Sequence, residues 1–95
     1  MVRAVELQSL GNALEALVNT KIENRSDLEK WYAGAQQVRQ QIFSNPKLSN
    51  VVPHFVWHYL SDADIRFKDQ KYAQLQREEI DRIILALKRG QVPVE

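Results

Sequence analysis

The chain contains no cysteine. Disulfide staples, thiolate nucleophiles and cysteine-ligated zinc are all excluded. Glycine and proline are scarce, at Gly11, Gly34 and Gly90 and at Pro46, Pro53 and Pro93. Few breakers mean few, long elements. Neither sign of charge dominates, because 13 basic and 12 acidic side chains leave a net charge of +1. A nucleic-acid binder ordinarily carries a basic excess or stripe, so composition argues against that class. Uninterrupted apolar runs are a few residues long, far short of the ~20 that a membrane helix needs. No basic segment followed by an apolar run opens the chain, so no secretory signal is expected and the expected location is cytoplasmic. No stretch alternates apolar and polar residues as a half-buried strand would, and no repeat or low-complexity tract is present.

What is present fits one small globular unit. The 95 residues are 44% hydrophobic and 26% charged, close to the average of folded domains. The expectation is a single helical domain over residues 1–90 with a frayed tail over 91–95.

Periodicity predicts an all-α fold, a small irregular four-helix bundle. Its helices are expected at about 2–23, 26–43, 51–60 and 69–89, with a helical turn near 62–67. In the first, Leu7, Leu10, Leu14 and Leu17 fall on one stripe, widened by Val5 and Val18. Gly11 interrupts it, at a propensity cost of about 1 kcal/mol against alanine. In the second, Ser26 and Glu29 have the spacing of a capping box. Leu28, Trp31, Tyr32, Ala35, Val38 and Ile42 then form an apolar face, and residues 44–50 read as a loop. The third opens near Pro53, placed as proline is in a first helical turn, with Val52, Phe55, Val56, Tyr59 and Leu60 on one side. Ser61 and Asp64 suggest a further capping box. The fourth has Asp69 as cap and Tyr72, Leu75, Ile80, Ile83, Ile84 and Leu87 as its face. Gly90 is its stop signal, with Pro93 beyond.

One segment, His54 to Asp69, concentrates the chemistry. It holds both histidines, four aromatics and a run of acidic and basic side chains. His54 and His58 are one helical turn apart and Asp62 continues the row, a coherent set of three metal ligands. The motif lacks the glutamate that metalloprotease helices place beside the first histidine. Ordinary surface histidines therefore outweigh the metal reading, and no cofactor is expected. Asp62 with Arg66, and Asp64 with Lys68, are spaced for local ion pairs. A ligand or partner site would draw on Trp57, His58, Asp62, Asp64, Arg66 and Lys68.

No nucleophile with a partnered base accompanies these residues, so catalysis is not expected. The leading expectation is a non-catalytic protein-interaction module or homo-oligomer. One alternative is a ligand- or metal-binding protein using the His54–Asp69 segment. Another is a small helical nucleic-acid-binding regulator.

Overall fold

The computed structural model describes residues 2–94, and all regular structure among them is helical. Six helices follow one another: α1 (Ala4–Val18), α2 (Arg25–Phe43), α3 (Pro46–Ser49), α4 (His54–Ser61), α5 (Ala63–Lys68) and α6 (Gln70–Lys88). The all-helical class is as expected, with six helices where four and a helical turn were expected. Three long helices, α1, α2 and α6, make the body, and three short ones connect α2 to α6. The Cα radius of gyration is 12.9 Å and the molecule measures 40 × 23 × 18 Å.

The helix ends explain most of the differences from expectation. The first helix stops at Val18 rather than near Glu23. Its terminal carbonyls find other partners: the Trp31 indole donates to the Leu17 carbonyl at 3.0 Å, and the Thr20 hydroxyl donates to the Ala16 carbonyl at 2.9 Å. The cap of α2 is Asn24, not Ser26. Its side chain accepts from the Asp27 amide at 2.9 Å, while Asp27 accepts from the Glu23 amide at 3.1 Å. Asparagine's short amide suits that position as well as serine does. The loop expected over 44–50 contains α3, with Asn45 accepting from the Leu48 amide and Pro46 in the first turn. Pro53 stands one residue outside α4, in extended backbone, as its cap residue.

The end of α6 is as expected. Asp69 accepts from the Tyr72 amide at 3.1 Å. At the other end Gln91 donates to the Ala86 carbonyl and Gly90 to the Leu87 carbonyl, a Schellman motif that needs the positive φ of Gly90, 72°. Residues 91–94 have no regular structure, yet Pro93 is buried.

The α1 stripe packs mainly on α6 and then on α2. Leu10 and Leu14 of α1, Ile42 of α2, Val56 and Leu60 of α4, and Ile80 and Ile83 of α6 are completely shielded. Gly11 is buried because α1 and α6 approach closely there. A Cβ on it would lie 3.0 Å from the Leu87 Cβ. Val5 and Leu75, expected on apolar faces, are instead 58% and 59% exposed. The α6 position that turns inward beside Ile80 is Gln76, only 5% exposed.

Candidate functional site

The break between α4 and α5 organises the polar interior. At Asp62 the backbone leaves the helical region, with φ −104° and ψ 15°. The capping box expected of Ser61 and Asp64 does not form: the residue before α5 is Asp62, which makes no side-chain cap, and the Ser61 hydroxyl donates to the Trp57 carbonyl at 3.0 Å. Instead Asp62 Oδ2 accepts from the Tyr72 hydroxyl at 2.7 Å and from Gln76 Nε2 at 3.1 Å. The chain turns at Asp62 because both donors lie on α6, beneath it.

Arg66 stands at the centre. One turn into α5, its side chain runs back under α4. Nη1 donates to the Tyr59 carbonyl at 2.7 Å and to Gln76 Oε1 at 2.6 Å. The guanidinium carbon lies 3.8 Å from the Tyr59 ring centroid and 4.9 Å from that of Trp31. Aromatic faces attract a cation most strongly when water is excluded, at about 2 kcal/mol or more. Trp31 is held in turn by an edge contact with Tyr59, centroids 5.8 Å apart, and by its own bond to α1. Helices α1, α2, α4, α5 and α6 thus converge on one charged group.

That group is incompletely satisfied. Among the described residues no ion pair involves Arg66, and its Nη2 is buried without an acceptor. The expected Asp62–Arg66 ion pair is replaced by an indirect link, Asp62 to Gln76 to Arg66. Burial lowers the Arg66 pKa from its ordinary value, opposed by Tyr59 and Asp62 beside it. The guanidinium stays protonated all the same, because arginine is not deprotonated in proteins. The three tyrosines of the chain are all shifted upward. Burial raises Tyr59 and Tyr32, and the hydrogen bond to Asp62 raises Tyr72.

Arg66 also lines an open cleft of about 500 Å³ between the end of α1, α5 and α6. Trp31 and Tyr59 contribute to its wall, with Val18, Ile22 and Phe67 as apolar neighbours. Arg77 stands on its rim, bound through Nε to both carboxylate oxygens of Asp81 at 3.0 Å.

The sequence-predicted residues do not all gather here. Asp62 and Arg66 share the network. Asp64 is drawn to α2, where its carboxylate accepts from the Tyr32 hydroxyl at 3.0 Å, so the expected Asp64–Lys68 pair does not form. His54, His58 and Lys68 are exposed. His54, His58 and Asp62 are not brought together, since Asp62 is turned toward α6. Among the described residues, no three His, Cys, Asp or Glu side chains are grouped to hold a metal. Trp57 takes part in a separate feature. Its ring stacks on Phe43, centroids 5.1 Å apart and planes at 24°, and Phe43 is 67% exposed. Gln76, Tyr72, Tyr59 and Trp31 were missed as site residues. The signal was there for one of them: a glutamine at an inward α6 position, four residues before Ile80.

Comparison with protein-family models, with curated proteins and with solved structures returned no match. No helix among the described residues is long and apolar enough to cross a membrane.

Proposed function

We propose that the protein is a non-catalytic helical interaction module that anchors a protein partner through the stacked rings of Phe43 and Trp57. The observation that carries this reading is the exposure of Phe43, 67%, on a ring that is already fixed by stacking. Leaving a large aromatic in water forgoes about 1.5–3 kcal/mol of burial. A pre-stacked ring loses little conformational freedom when a partner covers it. Tryptophan is among the side chains most enriched at binding hot spots.

Area favours a transient contact over a stable complex. Buried in full, the two rings would cover roughly 150–250 Å² each, less here because they stack on each other, whereas a stable interface covers about 800 Å² per partner. A small preorganised anchor suits a transient contact with a partner that presents an apolar pocket.

A photo-crosslinking amino acid at position 43, compared in the native host with one at exposed Glu29, tests the reading. Defined adducts are expected at 43 and not at 29, and Trp57→Ala should abolish them. Equal crosslinking at both positions would refute it. Phe43→Ser should cost about 0.5–1.5 kcal/mol of stability, the loss of the ring stack, and leave the protein folded. Self-association that is concentration-dependent and lost in Phe43→Ser would move the reading to a homo-oligomer.

A further inference from the structure

The Arg66 cleft is distinct from the Phe43–Trp57 surface. We infer that it is a binding site for a small organic carboxylate with an apolar body. Three observations meet there.

The first is the charge. Arg66 is a guanidinium with no ion-pair partner among the described residues, and one of its nitrogens lacks any acceptor. Unsatisfied buried donors are rare in folded proteins and call for a specific explanation. A carboxylate supplies what is missing: a negative charge and acceptor oxygens in a geometry that guanidinium groups bind well.

The second is the composition of the walls. Among the described residues no aspartate or glutamate lines the cleft, and two arginines do, Arg66 and Arg77. A cationic ligand would meet no countercharge there. The Arg77 charge is already shared with Asp81, so Arg66 is the charge the ligand would neutralise.

The third is the apolar part. Phe67, on the cleft wall, is 45% exposed, and Val18, Ile22 and Ala73 add aliphatic surface. The volume, about 500 Å³, is within the range of small-molecule sites. A bare inorganic anion would leave this surface uncovered. With the side chains as they stand Nη2 is closed to solvent, so the ligand seats by displacing wall side chains and uncovering it.

Trp31 reports on occupancy. It is one of two tryptophans, its indole N–H is fixed on the Leu17 carbonyl, and Trp57→Phe assigns its resonance. The probes are phenylacetate, its neutral isostere phenylacetamide, and inorganic phosphate, titrated into labelled protein. Phenylacetate is expected to shift the Trp31 indole resonance saturably, with a dissociation constant on the order of 1 mM for so small a ligand. Phenylacetamide should bind at least about tenfold more weakly. Ala73 lines the cleft and makes no side-chain hydrogen bond in the polar network, so Ala73→Leu adds bulk there while removing none of those bonds. It should remove the response while the circular dichroism spectrum stays unchanged. No shift by phenylacetate up to about 10 mM would overturn the inference. So would equal binding of the amide, an equal response to phosphate, or an unaltered response in folded Ala73→Leu.

Discussion

Replacing Gln76 by leucine isolates the energy of the buried network. The site is 5% exposed, so leucine enters the core in place of an amide. The glutamine accepts from Arg66 Nη1 at 2.6 Å and donates to Asp62 Oδ2 at 3.1 Å, with Tyr72 a further acceptor at 3.0 Å. Two of these partners are charged, and a hydrogen bond to a charged group is worth about 1.5–3 kcal/mol. Their loss costs about 3–6 kcal/mol, and leucine's apolar surface returns about 1–2 kcal/mol. The expected net loss is about 2–4 kcal/mol, a large share of the 5–15 kcal/mol typical of a domain. In a chain of this size each kcal/mol moves Tm by about 4–8 °C, so the melting point should fall by roughly 8–32 °C. Urea unfolding reads the same quantity, with an unchanged m-value showing that only stability has moved. Gln36→Leu, at an exposed position on α2, should stay within about 0.5 kcal/mol of the parent. A Gln76→Leu protein as stable as that control would refute the claim that the amide holds Arg66 and Asp62 in place.

Gly90→Ala should destabilise by about 1–2 kcal/mol, the cost of a side chain in the left-handed region. Its Cβ would lie 2.8 Å from that of Ala4, so thermal melting should also report a loosened α1 N-terminus. Alkali should unfold the protein through its tyrosines. Tyr32, Tyr59 and Tyr72 all have folded pKa values raised above 10.0. The fold therefore holds their protons more tightly than the unfolded chain does. That contribution is intact below about pH 10 and is lost as pH rises through the folded values. Phenolate absorbance should appear together with loss of helical dichroism, and tyrosines titrating freely near 10 in the folded protein would contradict this.

The three long helices were legible because their signals are local. A Leu7–Leu10–Leu14–Leu17 stripe, an Asp69 cap and a Gly90 stop each depend on residues within one or two turns. All three behave as expected. The start of α2 was harder, since Asn24 and Ser26 are both good caps and the Asn24 side chain takes that place. The site was least legible. Asp62 and Arg66 invited a local i,i+4 pair, but Gln76, ten residues beyond Arg66, separates them. Nothing local says that α6 passes beneath the α4–α5 break. The histidine row was ambiguous for the same reason: spacing puts Asp62 in line with His54 and His58, while its carboxylate accepts from donors on α6.

A buried guanidinium is an expensive way to hold a small core together. Replacing buried charged groups by apolar ones of similar shape is often neutral or stabilising, whereas removing one partner strands the other. The two cases separate here. Gln76→Leu leaves the Arg66 charge with fewer acceptors. Arg66→Met combined with Gln76→Leu removes both, and leaves the bond between Tyr72 and Asp62 intact. If the network's cost lies in the desolvated charge, the double variant should be more stable than Gln76→Leu alone, by about 1–3 kcal/mol. It should at the same time lose the distinction between phenylacetate and phenylacetamide. Stability recovered while charge recognition is lost would mean that the fold tolerates Arg66 and the cleft requires it. A double variant no more stable than Gln76→Leu would show the reverse. The guanidinium, sandwiched against Tyr59 and Trp31, would then be a structural keystone of the α4–α5–α6 junction.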